Sequence, residues 1–137
     1  MRRRRFLKGG AAAAAVFDAP PASVPGDASK WRLTPPLRGR IPVAFVLGPG
    51  ATMIDFAGPW EVFQDVMVPE RGPSHEEQMP FALFTVAEKA ATLRVTGGMQ
   101  VTPDSTVENA PPPRVIVIPA HQGSPKLVEW VRTASAT

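Results

Sequence analysis

Two ionisable side chains stand beside the predicted ends of secondary structure elements, where α/β proteins place their chemistry. Asp55 follows an apolar run, residues 42–47, and a Gly-Pro-Gly turn, and it falls in the first turn of a predicted helix. A helix dipole stabilises a carboxylate at that place. His121 follows residues 114–120, the run that most strongly predicts a strand in this chain. Loops that contact ligands in open α/β sheets occupy this position, so both residues are candidate site residues.

Other reactive arrangements are weak or missing. The chain has no cysteine, which excludes disulfides, thiolate metal sites and a cysteine nucleophile within these 137 residues. His75 precedes two glutamates, but no second histidine stands at ligand spacing, so we predict no metal site. The Gly48–Gly50 turn lacks the G-x-G-x-x-G pattern of a dinucleotide loop. We therefore expect no cofactor.

Alternating apolar strands and helices must position these residues. The runs 42–47, 81–86 and 114–120 are short and bounded by turns, which is typical of strands buried on both faces of a parallel sheet. Short strands on either side of Gly97-Gly98 predict a small hairpin. The pattern indicates an α/β fold with helices on both faces of a mostly parallel sheet.

The helices and loops between these strands are also predicted. Thr52 is expected to cap a first helical turn, with Pro59 at the first position of a second. Residues 68–79 are polar and predict a loop, and residues 104–110 predict a connector. Ser124 is expected to cap a helix over 125–132.

The charge is concentrated at the N-terminus. Of the 15 basic and 12 acidic residues, residues 1–28 hold five basic and two acidic ones, so the body carries ten of each sign. A nucleic-acid-binding surface needs clustered positive charge. We therefore expect no nucleic-acid partner.

The N-terminal segment has the three-part layout of an export signal. Arg3-Arg4, a spacer and Phe6-Leu7-Lys8 resemble the twin-arginine pattern R-R-x-F-L-K, with Arg2 where Ser or Thr is usual. The apolar run that follows is too short to span a bilayer, which takes about 20 residues. The alternative is a basic tail that binds nucleic acid or a membrane surface.

These features predict three regions. Residues 1–28 form a signal peptide and processed segment, 29–40 a Pro-rich linker, and 41–137 the body. Cleavage after either Ala15 or Ala28 is compatible with small residues around both positions. We expect a periplasmic or extracytoplasmic protein that meets the membrane only during export.

Four segments of the body resemble the DJ-1/PfpI family of the class I glutamine amidotransferase-like superfamily. They are PVAFVLGPG, MIDFAGPWEVF, VTGGMQVTPD and RVIVIPA with its following loop and helix. The second is similar to the branch that contains isonitrile hydratases and the ligand-binding halves of AraC-type regulators. The resemblance covers about residues 41–132 and implies a flavodoxin-like three-layer sandwich, of which this chain supplies the N-terminal part.

The resemblance also implies a site. Family members use a cysteine nucleophile with an acidic side chain against its sulfur, and Asp55 matches that acid. The remaining site-loop residues implied are Gly48, Gly50, His121, Gln122 and Gly123. Many relatives place glycine in the second of these loops, where this chain has Ala120-His121-Gln122-Gly123.

The chain ends at Thr137, where the family places the start of its cysteine-bearing strand. We expect a fragment of a longer gene product or a truncated gene. The activity implied is a cysteine-dependent hydratase or hydrolase of small molecules, which this chain alone would not perform. The alternatives are a non-catalytic small-molecule-binding domain, as in AraC-type regulators, and an inactive remnant. Many members of the family are homodimers.

Overall fold

The computed structural model describes residues 38–136, and the predictions for the N-terminal 37 residues lie outside that range. The strands are Ile41–Val46 (β1), Phe81–Ala87 (β2), Leu93–Arg94 (β3), Gln100–Val101 (β4), Ser105–Thr106 (β5) and Val115–Val117 (β6). The α-helices are Met53–Gln64 (α1), His75–Gln78 (α2) and Pro125–Ala134 (α3), and 3-10 turns cover Pro69–Arg71 and Thr96–Gly98.

Four strands form a parallel sheet in the order β5-β2-β1-β6. The central strand β1 pairs with β2 along its whole length and with β6 through Val43, Ala44 and Phe45. Strands β3 and β4 form the predicted antiparallel hairpin. The α/β fold with a mostly parallel sheet, as in flavodoxin-like proteins, is therefore confirmed.

Helices cover the two faces of β1. Alternate residues of the strand point to opposite faces, and Phe45 packs against Trp60 and Phe63 of α1, with ring centroids 4.9 and 6.3 Å apart. On the opposite face, Val46 lines a cavity together with Leu127 of α3. The sheet therefore lies between α1 and α3, in three layers.

Helix α1 is continuous, so the prediction of two separate turns is wrong. Pro59 lies inside the helix and removes the hydrogen bond that its N–H would give to the Asp55 carbonyl. Burial of the apolar face, including Phe56 and Trp60, compensates for that loss. Thr52 is the N-cap, as expected, but its side chain makes no capping hydrogen bond.

Three further predictions need correction. The polar segment 68–79 is not a loop throughout, because Ser74 and Glu77 form a capping box that starts α2. The connector 104–110 contains β5, which extends the sheet beside β2. The strand predicted over 114–120 is ordered as β6 over only three residues. Among residues 38–136, no helix is long and apolar enough to cross a bilayer.

Candidate functional site

The candidate site lies at the carboxyl ends of the neighbouring parallel strands β1 and β6. The β1–α1 connection, residues 47–52, and the β6–α3 connection, residues 118–124, therefore meet at one edge of the sheet. Helices α1 and α3 leave that edge on opposite faces. Open α/β sheets bind ligands in the crevice that such a reversal creates.

Asp55 joins the two connections. Its Oδ2 accepts a hydrogen bond from the backbone N–H of Ala120 at 3.0 Å. In the other direction, the N–H of Thr52 donates to the Ala120 carbonyl at 2.9 Å. Both polar backbone groups of Ala120 are therefore held by the start of α1. The half-buried Asp55 carboxylate is a structural bridge as well as a candidate acid.

His121 lies against the other side of the β1–α1 connection. Its Nδ1 lies 2.8 Å from the Pro119 carbonyl, and a carbonyl only accepts, so Nδ1 carries the proton and donates. In the neutral ring, Nε2 then keeps its lone pair. The ring lies so close to Gly48 that a Cβ there would stand 2.5 Å from His121 Cδ2. Only glycine fits at position 48 without moving the ring.

The β3–β4 hairpin supports the β1–α1 connection. Gly50, at φ +76°, donates its N–H to the Arg94 carbonyl at 2.8 Å. Thr96 N–H donates to Ala51 O at 3.0 Å, and Thr96 Oγ1 accepts from Met53 N–H at 2.9 Å. Thr96 therefore takes the role at the start of α1 that the sequence assigned to Thr52. No sequence pattern marks this pairing, which spans 43 positions.

A cleft of about 500 Å³ opens beside this connection at the ends of β1 and β2. Its apolar wall includes Leu47, Pro49, Leu93 and Leu127, and its remaining lining residues are Gly48, Ala87, Glu88, Lys89, Ala91, Gln122, Gly123 and Ser124. Small-molecule sites have this size and this mixture of apolar wall and few polar groups.

The predicted site residues do not all line one cavity. Gly48, Gln122 and Gly123 line the cleft. Asp55 lies at the Ala120 bridge. His121 lines a second, apolar cavity of about 330 Å³ beside α3, which shares Gly123 and Leu127 with the cleft. Gly50 faces the β3–β4 hairpin through its hydrogen bond and lines neither space.

Glu88 and Lys89 were not predicted as site residues. Both line the cleft, and they follow directly after the buried strand β2, at the same edge of the sheet as Gly48. Two charged residues at the carboxyl end of a buried parallel strand are the signal that could have identified them.

The acidic cluster near His75 has a structural role. Glu77 accepts hydrogen bonds from both the Oγ and the N–H of Ser74, which lowers the pKa of its carboxyl below the ordinary value. Across the described residues 38–136, no group of three or more His, Asp or Glu side chains is arranged to hold a metal ion. The prediction that the protein needs no metal stays a prediction.

Comparison with known proteins finds similarity at the level of structure. No family model matches the sequence, and no curated protein matches it. A ThiJ/PfpI family protein of Pseudomonas syringae superposes with a TM-score of 0.58 at 18% identity, over 85% of this chain and 46% of that one.

Two further solved structures are similar. One is a candidate transcriptional regulator of Vibrio parahaemolyticus, with a TM-score of 0.55 at 15% identity over 72% of this chain and 52% of that one. The other is a two-domain protein of Anabaena variabilis with DJ-1/ThiJ/PfpI-like and ferritin-like domains, with a TM-score of 0.54 at 15% identity over 71% and 27%. This chain spans about half the length, or less, of these proteins. At such low identity the likeness shows the fold alone, and that fold is the one shared by the DJ-1/ThiJ/PfpI proteins.

Proposed function

We propose that this chain is the acid-bearing part of a DJ-1/PfpI-type domain that acts on a small molecule, with Asp55 as the acid. The observation that carries the proposal is the hydrogen bond from Ala120 N–H to the Asp55 carboxylate. It fixes an acidic group at the carboxyl edge of two adjacent parallel strands, where sites in this class of fold are built. The MIDFAGPWEVF motif and the fold both support the family assignment.

The reaction proposed is hydration of an isonitrile, with a cysteine supplied by residues outside these 137. Asp55 takes the thiol proton, and the thiolate adds to the isonitrile carbon as that carbon receives the proton. A thioimidate then stands on the cysteine. Water adds to it, the thiol leaves with a proton restored to sulfur, and the product is an N-substituted formamide. In sum, one isonitrile and one water give one N-substituted formamide, and the cysteine thiol is regenerated.

The neighbouring cleft supports a small substrate. Its volume of about 500 Å³ lies within the range of small-molecule sites, and its lining is mostly apolar. The polar side chains among its lining residues are those of Glu88, Lys89, Gln122 and Ser124. A compact organic molecule with one polar group matches this lining better than a nucleic acid or a polymer.

A second candidate function is a non-catalytic binding module. The structural likeness to a candidate transcriptional regulator favours it, and the cleft would serve a ligand equally well without a nucleophile. The coding sequence after the codon for Thr137 distinguishes the two. An apolar strand followed by a turn with cysteine supports the enzyme, and Ser, Ala or Gly at that turn supports the binding module. An in-frame stop supports the inactive remnant instead.

We also propose export by the twin-arginine pathway, because Arg3-Arg4 and Phe6-Leu7-Lys8 match its signal. A fusion of residues 1–40 to a reporter that is active only outside the cytoplasm tests this. Changing Arg3 and Arg4 to lysine should abolish the signal. Unchanged reporter activity in that variant would contradict the proposal.

A further inference from the structure

Three hydrogen bonds hold residues 119–121, one within the segment and two to the start of α1. The Pro119 carbonyl accepts from His121 Nδ1 at 2.8 Å, and Ala120 donates its N–H to Asp55 Oδ2 at 3.0 Å. The Ala120 carbonyl accepts from Thr52 N–H at 2.9 Å. Only the first of these contacts uses a side chain of the loop itself.

The imidazole of His121 also packs closely against Gly48. It rests on Gly48, where a Cβ would lie 2.5 Å from Cδ2 and 2.9 Å from Nε2. Cβ atoms in folded proteins essentially never approach other heavy atoms this closely. The ring can therefore pack here only because residue 48 is glycine. The ring is thus fixed at Nδ1 by a hydrogen bond and along its Cδ2–Nε2 edge by packing.

We propose that His121 is a positioning residue that keeps the Ala120 N–H aimed at the Asp55 carboxylate. The inference rests on the proposed function, since it concerns how that site's acid is held. His121 reaches back to the carbonyl of Pro119, which closes the loop around Ala120 and limits rotation of the peptide that carries its N–H. The packing of the ring against Gly48 holds the closed loop at the end of β1. Neither contact touches Asp55 itself.

The same loop forms part of the cleft wall. Gln122 and Gly123 follow His121 directly and line the cleft together with Gly48. Loosening His121 therefore displaces the bridge to Asp55 on one side and the ligand-facing residues on the other. His121 is thereby placed between the acid and the cleft.

The test measures the Ala120–Asp55 hydrogen bond directly by NMR, in the 137-residue chain. The readouts are the exchange rate of the Ala120 amide and the scalar coupling across the hydrogen bond between Ala120 N and Asp55 Cγ. His121→Leu should lose the coupling and raise the exchange rate about tenfold, because a typical net hydrogen bond is lost. His121→Asn keeps a donor near the Nδ1 position and should restore most of the protection. His75→Leu, at an exposed position in α2, is the matched control.

Gly48→Ala reaches the same bond without changing His121. Its Cβ must displace the ring, so the Ala120 amide should lose protection as in His121→Leu. In the double variant Gly48→Ala/His121→Ala the clash is gone, and the stability cost of Gly48→Ala should shrink markedly. Gly58→Ala is the control, since its Cβ would meet only Ile54 Cδ1 at 3.8 Å. If the stability costs of Gly48→Ala and His121→Ala simply add in the double variant, the packing of His121 against Gly48 is contradicted.

Each result decides the inference separately from the proposed function. An unchanged Ala120 coupling in both His121→Leu and Gly48→Ala overturns the positioning role, whatever the protein catalyses. Loss of the coupling in both, with recovery in His121→Asn, establishes it. If the coupling behaves as expected while Asp55→Asn has no effect on turnover, the positioning role stands and the assignment of Asp55 as the acid falls.

Discussion

The Asp55 carboxylate accepts a hydrogen bond from the Ala120 amide at 3.0 Å, across 65 positions of sequence. This contact joins the first turn of α1 to the loop after β6. It gives Asp55 a structural role even before any chemistry, because the carboxylate also lies where the dipole of α1 favours negative charge.

Replacing Asp55 should therefore lower stability. Asp55→Ala loses one charge-assisted hydrogen bond and the interaction with the helix dipole, for about 1–2 kcal/mol in the free energy of unfolding. Asp55→Asn keeps an acceptor oxygen and should cost roughly half as much. Urea denaturation measures both, with exposed Glu61→Ala as the control. Equal stability of Asp55→Ala and wild type would show that the bridge does not form in solution.

The pair Thr85 and Asp104 should contribute more. Asp104 Oδ2 accepts hydrogen bonds from the backbone N–H of Thr85 at 2.8 Å and from the Thr85 hydroxyl, Oγ1, at 2.7 Å. In return, Thr85 Oγ1 accepts from the Asp104 N–H at 2.8 Å. Thr85 is buried at 7% exposure, so Thr85→Val leaves unpaired groups there and should cost about 1–3 kcal/mol. Thr133→Val, at an exposed position in α3, is the control for denaturation experiments. Equal losses in the two variants would contradict the pairing.

The capping box of α2 predicts a pH effect. Hydrogen bonds from the Ser74 hydroxyl and N–H hold the pKa of Glu77 below its ordinary value of 4.5. A lowered folded pKa means that its stabilising effect is present at neutral pH and is lost as pH falls from 4.5 through the folded pKa. Side-chain carbon shifts should give a Glu77 titration midpoint below 4.5, and Ser74→Ala should move it upward. An identical midpoint in Ser74→Ala would rule out the box.

The ion pair of Glu108 and Lys126 should respond at both ends of the pH range. Its N–O distance is 2.6 Å, and the partners lower the pKa of Glu108 and raise the pKa of Lys126. The benefit is lost as acid protonates Glu108 and as base deprotonates Lys126. Lys126→Met should raise the Glu108 titration midpoint, and Lys89→Met should not. The side chains of Glu108 and Lys126 are exposed. In 1 M salt, the difference in Glu108 midpoint between wild type and Lys126→Met should therefore shrink.

The aromatic packing under α1 should dominate stability. Phe45 is fully buried and contacts the rings of Trp60 and Phe63. Phe45→Ala should cost about 3–5 kcal/mol, whereas Val62→Ala, at 68% exposure, should change stability by less than about 0.5 kcal/mol. Denaturation followed by tryptophan fluorescence measures both. A cost below about 1 kcal/mol for Phe45→Ala would contradict the packing of α1 on the sheet.

The parallel core was predictable because burial on both faces leaves a continuous apolar run. Val43–Val46 of β1 and Thr85–Ala87 of β2 are buried, as such a run predicts. Strand β5 was missed because two residues, Ser105 and Thr106, carry no periodicity and are placed by the distant contact between Asp104 and Thr85. Tertiary contacts also kept α1 continuous through Pro59.

The site was predictable only in its separate residues. Asp55 and His121 could be chosen from their positions after strands, but nothing local shows that Asp55 binds Ala120 or that His121 rests on Gly48. These contacts depend on the pairing of β1 with β6, whose paired residues, from Val43 with Val115 to Phe45 with Val117, lie 72 positions apart in sequence. Glu88 lies at the cleft for the same kind of reason, because β1 pairs with β2.

The most direct measurement of the proposed function is isonitrile hydration by the gene product that includes whatever is encoded after Thr137. Loss of tert-butyl isonitrile and appearance of the formamide are followed for wild type, Asp55→Asn and the control Glu61→Gln. General acid–base groups typically contribute 10²–10⁴-fold, so Asp55→Asn should lower kcat/KM by about 100-fold or more, with Glu61→Gln within about twofold. The 137-residue chain, which has no cysteine, should show no turnover. Turnover by that chain, or full activity of Asp55→Asn, would contradict the assignment of Asp55 as the acid of a cysteine-dependent site.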